Sequence, residues 1–178
     1  MTTIAERAEM PQVLLIEDSH EDAILVQRAF KKADIPTHVT IARTAEIGLS
    51  ILRREGGFLN TPFPDIILLD IDLPYISGID FLKLAKADSE LRLIPIIIMT
   101  NSTSEADLLE TYKTYVNGFV TKPIGLDGYE QVIRTLEEYW FKLSATPETH
   151  APASLSRRKH AEIPTSPHGR LGGQNSRG

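Results

Sequence analysis

Asp65-Ile66-Ile67-Leu68-Leu69-Asp70-Ile71-Asp72-Leu73-Pro74 is an apolar run that ends in a carboxylate just before a turn-forming proline. A short run of Ile and Leu closed by a turn reads as a strand buried on both faces, as in parallel sheets. Three other runs are built the same way. Val13-Leu14-Leu15-Ile16 ends in Glu17-Asp18, Ile96-Ile97-Ile98-Met99 ends in Thr100, and Gly118-Phe119-Val120-Thr121 ends in Lys122-Pro123. In a parallel sheet the C-terminal strand ends share one edge, so three acids, a hydroxyl and an ammonium would converge there. That set fits a cation and a transferable phosphoryl group.

From about residue 12 to 143, short β-type runs alternate with helical periodicity, the signature of βα units around a parallel sheet. The runs predict strands over 12–17, 38–42, 65–70, 95–100 and 118–121. A first helix over 20–34 starts at Ser19 with Asp22 as a capping-box-like signal and buries Ala23, Val26, Phe30 and Ala33. A second runs over 44–55 and stops at Gly56-Gly57; a third, over 78–87, follows the Pro74/Gly78 turn. The fourth, over 104–116, starts at Ser104 with Asp107 and stacks Leu108, Leu109, Tyr112, Tyr115 and Val116. The fifth, over 126–143, starts with Asp127 and Glu130 and buries Ile133, Leu136, Trp140 and Leu143. These elements make a (βα)5 domain over 12–143, with an N-terminal extension at 1–11.

Residues 144–178 differ. Ser, Thr, Pro, Gly, Arg and His dominate, and Leu155, Ile163 and Leu171 are too sparse for a core, so a disordered tail is expected. The loop Gly56-Gly57-Phe58-Leu59-Asn60-Thr61-Pro62-Phe63-Pro64 is long for its place. Its two Phe residues either pin it to the body or extend an interaction surface.

Composition narrows the function classes. A chain of 178 residues with 42% apolar content is long enough to bury a real core. The absence of Cys excludes disulfides, thiolate metal sites and a Cys nucleophile, and fits a reducing cytoplasm. No apolar run is long enough to span a bilayer, and the first residues lack a signal-peptide core, so no membrane segment is expected. Residues 1–143 carry 14 Lys/Arg against 22 Asp/Glu, whereas 144–178 carry 5 against 2. An acidic body argues against nucleic-acid binding, which needs a basic face; the basic tail reads as solvated or as a weak polyanion contact.

Asp70 alone would be an ordinary solvated turn residue, but Glu17 and Asp18 end a strand that should lie beside its own. Three crowded carboxylates repel unless a divalent cation or a pKa rise relieves them, and hard oxygen ligands suit Mg²⁺. Capping of the first helix is the other reading of Glu17-Asp18. Lys122 could be a surface turn residue and Thr100 a plain β-branched strand end. Pro123 can take a cis bond that fixes a tight turn and aims the side chain before it. His20 reads as an exposed helix-start residue rather than a ligand.

With Glu17-Asp18, Asp70, Thr100, Phe119 and Lys122-Pro123 in this order, the chain resembles the response-regulator receiver family over about 12–143. The resemblance implies a flavodoxin-like fold of strand order 2-1-3-4-5 with its site at the C-terminal strand edge. It implies that Asp70 accepts a phosphoryl group from the phosphohistidine of a sensor histidine kinase. Mg²⁺ would be held by Asp18, Asp70, the backbone carbonyl of Asp72 and waters, with Glu17 direct or in its outer shell. Lys122 would pair with the phosphoryl oxygens, Thr100 would be the switch hydroxyl and Phe119 the switch aromatic. The segment Val13 to Asp22, the Pro-rich loop, and Glu137-Glu138-Tyr139-Trp140-Phe141 look like single-domain regulators partnered with bacterial phytochrome kinases.

Two departures stand out. Asp72 is charged where the family is often neutral, and its carboxylate could tighten metal binding or repel a phosphodonor. Asn101 is larger than the usual small residue after the switch hydroxyl. Tyr139, Trp140 and Phe141, stepping about 100° each, span more than one core stripe, so at least one ring should face outward. A homodimer through the helix-4, strand-5, helix-5 face is therefore expected. With no output domain attached, the chain should act by protein contacts or as a relay, and not as an enzyme on outside substrates. The alternatives are a Mg²⁺-dependent aspartyl-phosphate phosphatase, from the Asp70-Ile71-Asp72 pattern, and a degenerate receiver used as a scaffold.

Overall fold

The computed structural model describes residues 10–101, 110, 112–114 and 116–143. Most of the expected fourth helix, the start of the N-terminal extension and the 144–178 segment lie outside the described residues. Five strands form one parallel sheet: β1 (Gln12–Ile16), β2 (His38–Ala42), β3 (Ile66–Leu69), β4 (Ile96–Thr100) and β5 (Gly118–Thr121). Their order is β2-β1-β3-β4-β5, so the chain reverses its winding direction between β1 and β3. Every residue of β3 and β4 is buried, which is why these strands read as unbroken apolar runs rather than alternating ones.

Alternation still decides which core each side chain joins. Leu14, Ile16, Ile67, Leu69, Ile96 and Ile98 face Leu49, Leu52, Phe81 and Leu82, on helices α2 (Ala45–Arg53) and α3 (Gly78–Ala87). Val13, Leu15, Ile66, Leu68, Ile97 and Met99 face α1 (His20–Lys32) and the C-terminal helix (Gly125–Leu136), through Ala23, Val26, Phe30 and Ile133. The sheet thus lies between two helical layers, as the period of two requires.

Helix starts follow the hydroxyls. Ser19, Thr44 and Ser77 each accept from the backbone N–H three residues on, at Asp22, Ile47 and Asp80. Four details differ from the sequence reading. Asp22 does not close a reciprocal capping box, because its carboxylate is spent on Lys122. The second helix ends at Arg54, which takes the left-handed conformation at φ 55, ahead of Gly56-Gly57. The C-terminal helix has no side-chain cap at Ile124; Asp127 and Glu130 instead pair with Lys32 of α1, at 2.5 and 2.8 Å. Past Leu136 the helix widens to a π-helical turn over Glu137–Leu143, which lets Trp140 pack back on the α1-side core while Tyr139 stays exposed. No helix among the described residues is long and apolar enough to cross a membrane.

Candidate functional site

The sheet places Glu17 and Asp70 one residue beyond the ends of β1 and β3, side by side. Their backbones keep sheet-like bonds: Glu17 N–H donates to the Ala42 carbonyl at 2.9 Å and Asp70 N–H to that of Ile16 at 3.0 Å. Carboxylate oxygens of Glu17, Asp18 and Asp70 all lie within 4.8 Å of one another, Asp18 being the exposed member. Glu17 is 2% and Asp70 5% exposed, so two of these charges sit out of water.

Lys122, at the end of β5, answers them. Its Nζ lies 2.7 Å from Glu17 Oε2, 2.7 Å from Asp70 Oδ2 and 2.8 Å from Asp22 Oδ2. An ammonium has three N–H donors, and here each has a carboxylate. Thr100, fully buried at the end of β4, donates its hydroxyl to Asp72 Oδ2 at 3.3 Å. Asp72 is exposed, and its backbone N–H donates to Asp70 Oδ1 at 3.1 Å. Asp72 therefore bridges the ends of β3 and β4. Phe119 on β5 is half-buried against the α2–α3 side of the sheet.

Close packing fixes the frame. A Cβ on Gly78, the first residue of α3, would come within 2.1 Å of the Asp70 carbonyl oxygen. The β1–α1 loop is tied down by Ser19 N–H donating to Glu17 Oε1 at 3.0 Å and by Arg43. Arg43 donates from Nη1 to the carbonyls of Glu17 and Ser19, at 3.4 and 3.1 Å, and its Nη2 meets His20 Nδ1 at 3.0 Å. His20 is thus engaged by Arg43 and is outside the carboxylate cluster. The Lys122–Pro123 bond is trans, not the cis bond considered from sequence, and Lys122 is aimed by its three carboxylate bonds.

Burial pushes the Glu17 carboxyl up to about 7, helped by the charge of Asp70 and opposed by Lys122. Burial alone would pull the Lys122 ammonium down, but its bonds to Asp22, Asp70 and Glu17 outweigh that and hold it well above the usual lysine range. Behind the site the phenol of Tyr129, 2% exposed, is pushed up to about 12 by burial and then by the charge of Asp22. Four carboxylates (Glu17, Asp18, Asp22 and Asp70) against one ammonium leave a net anionic pocket of hard oxygens, a donor set that fits a divalent cation.

Glu17, Asp18, Asp70, Asp72, Thr100 and Lys122 meet at this edge, whereas Phe119 lies beside it, half-buried against the core. Sequence reasoning missed Asp22, Arg43 and Tyr129. Asp22 stands in the first turn of α1, directly after the strand end that carries Glu17-Asp18, and that nearness could have placed it here.

The family model for the response regulator receiver domain matches residues 13–134. Response regulator Rcp1 of Synechocystis sp. is 31% identical over 145 residues, covering 81% of this chain and 99% of that protein. Its solved Mn²⁺-bound form superposes with a TM-score of 0.70, covering 78% of this chain and 99% of the other. The phosphorylated cyanobacterial phytochrome response regulator RcpA gives a TM-score of 0.73 at 32% identity, with coverage of 78% and 99%. A probable methanogenesis regulatory protein, FilR2 of Methanothrix harundinacea, is 32% identical over 136 residues, covering 76% of this chain and 86% of that protein.

Proposed function

This chain belongs to the response regulator receiver domain family, and we propose that it is a phosphoacceptor switch charged on Asp70 by a sensor histidine kinase. The observation that carries this reading is the Lys122 ammonium 2.7 Å from the Asp70 carboxylate, beside the cluster of Glu17, Asp18 and Asp70. An Asp70 oxygen attacks the phosphorus of a phosphohistidine in line; the P–O bond forms as the P–N bond breaks, and the imidazole leaves and takes a proton. Glu17, Asp18, Asp70 and the Asp72 backbone carbonyl would hold Mg²⁺, which supplies charge neutralisation for the transferring phosphoryl group.

Lys122 then trades its bond to Asp70 for one to a phosphoryl oxygen, keeping Glu17 and Asp22. Thr100 turns its hydroxyl to another phosphoryl oxygen, and Phe119 moves into the space that Thr100 leaves. The face around β5 and the C-terminal helix is repacked, a shift between two packings biased by one new dianion.

Similarity to RcpA, a cyanobacterial phytochrome response regulator, supports a bacterial phytochrome as the kinase. A cytoplasmic location follows, where such a kinase draws on ATP. A homodimer through the β5 edge is supported by the exposed Tyr139 and by an apolar groove of about 340 Å³. Val120, Pro123, Val132 and Leu136 line that groove. The phosphatase reading needs Asp72 as a free acid beside the nucleophile, whereas its carboxylate is held by Thr100.

Phosphotransfer from purified sensor kinases to the wild type and to Asp70→Asn tests the reading. One labelled acyl phosphate, lost in the variant, is the expected result. Transfer that survives in Asp70→Asn, or turnover of small phosphoesters, would refute it. Light scattering over a dilution series with beryllofluoride tests the dimer, and a monomer throughout would refute that part.

A further inference from the structure

We propose that the Asp72 carboxylate is a latch that holds the Thr100 hydroxyl in its resting position, so that phosphorylation must displace a carboxylate before the switch can close. This rests on the receiver reading of the site and adds to it a positioning residue two places beyond the phosphoacceptor. Asp72 touches both partners of the switch: its N–H binds Asp70 Oδ1 at 3.1 Å, and its Oδ2 accepts from Thr100 Oγ1 at 3.3 Å. The first bond fixes where Asp72 stands relative to the reacting carboxylate. The second is a bond that the hydroxyl must give up to reach a phosphoryl oxygen.

The chemistry is a competition between two anionic acceptors for one donor. Thr100 is fully buried, so its hydroxyl cannot turn to bulk water when it leaves Asp72. Asp72 is exposed and regains water when released, which makes the latch weak enough to open. At 3.3 Å the bond is long for a hydroxyl donor, placing it at the modest end of such contacts. A bond of that strength biases the equilibrium about 2- to 10-fold toward rest. A neutral aliphatic residue at position 72 would accept nothing, and this one bond of Thr100 would be lost.

Two mechanisms could make Asp72 oppose activation: the latch, which acts only through Thr100, and plain repulsion of an incoming anion, which does not. A double-mutant cycle separates them. Beryllofluoride, a phosphoryl mimic whose fluorides accept hydrogen bonds, is titrated with Mg²⁺ in excess. The proteins are the full chain, Asp72→Ala, Thr100→Ala and the double variant, with Asp70→Asn as control. The latch predicts about 2- to 10-fold tighter binding in Asp72→Ala and no further effect of that change when Thr100 is already Ala. Equal tightening in both backgrounds assigns Asp72 to repulsion and overturns the latch. Three-bond couplings of Thr100 without beryllofluoride give a second readout. They should report a χ1 population that shifts between the wild type and Asp72→Ala; unchanged couplings also overturn the proposal. Wild type that fails to bind beryllofluoride at all sinks the receiver reading itself, an outcome distinct from additivity in the cycle.

Discussion

Lowering the pH from 8 to 6 should weaken divalent-cation binding about tenfold, through one carboxyl group. The Glu17 carboxyl is pushed up to about 7 because it is buried and faces Asp70. A cation needs it ionised, as metal ligands must shed their protons. A group with that pKa is about nine-tenths ionised at pH 8 and about one-tenth at pH 6, so the apparent dissociation constant rises about tenfold, or ~1.4 kcal/mol. Near one proton should be released per cation at pH 6 and almost none at pH 8. Calorimetric titration of Mg²⁺ in buffers of different ionisation enthalpy measures both quantities. Glu17→Gln should bind Mg²⁺ more weakly but lose the pH slope between 6 and 8. The sign for folding runs the other way in metal-free protein. A carboxyl raised above its unfolded value adds stability that is full below the unfolded pKa and is lost as pH climbs through about 7. An affinity flat from pH 6 to 8, or a slope that persists in Glu17→Gln, would refute the assignment.

Lys122→Met strips the counter-ion from three carboxylates, and breaking so buried a pair costs about 3–5 kcal/mol; denaturant titration should find the loss larger at pH 8 than at pH 5, where protons replace the ammonium, and smaller with saturating Mg²⁺. Gly78→Ala puts a methyl 2.1 Å from the Asp70 carbonyl oxygen. It should destabilise by about 1–3 kcal/mol or more and weaken Mg²⁺ binding by moving the phosphoacceptor. Gly48→Ala meets side-chain atoms rather than backbone, Ile16 Cδ1 at 2.7 Å and Phe81 Cε2 at 3.2 Å, and should be milder on both measures. Asp22→Asn should lower Mg²⁺ affinity less than Glu17→Gln and leave the pH slope intact, because Asp22 neutralises Lys122 and stands outside the cluster of Glu17, Asp18 and Asp70.

How much of this was legible depended on whether a side chain's place is set by strand order or by helix packing. Glu17, Asp70, Thr100 and Lys122 could be found because each closes a buried run, and parallel strands deliver their ends to one edge. Strand bounds were readable to within about a residue for the same reason: burial on both faces leaves no room for polar residues inside β3 and β4. Asp22 and Asp127 were misread as capping groups. Both sit in the first turn of a helix, where a cap and a partner across the fold use the same residue type. Only the docking of α1 beside the C-terminal helix tells them apart, giving Asp22 to Lys122 and Asp127 to Lys32. The end of the second helix was misplaced because Arg54 adopts the left-handed conformation usually left to glycine, two residues before a glycine pair. Tyr139 and Trp140 divide as their spacing required, one ring exposed and one packed on the core, but the π-helical turn that divides them left no mark in the sequence.

Under the proposed function, activation would exchange acceptors rather than create bonds from nothing. Lys122 has no spare donor, since Glu17, Asp22 and Asp70 take all three. To grip a phosphoryl oxygen it must release one of them, and Asp70 is the natural one to release because phosphorylation changes that carboxylate itself. In the proposed switch Thr100 would make the parallel exchange, from the Asp72 carboxylate that now accepts its hydroxyl to the phosphoryl group. In both cases the incoming group competes with an anion already in place, not with water. The net gain per bond is then the difference between two good acceptors, which is smaller than the strength of either. What tips the balance is the second negative charge that a phosphoryl dianion brings where a carboxylate brings one. A site this acidic would accept that charge more readily with a divalent cation beside it. Cation and phosphoryl group would then strengthen each other's binding by the same factor, as linkage requires.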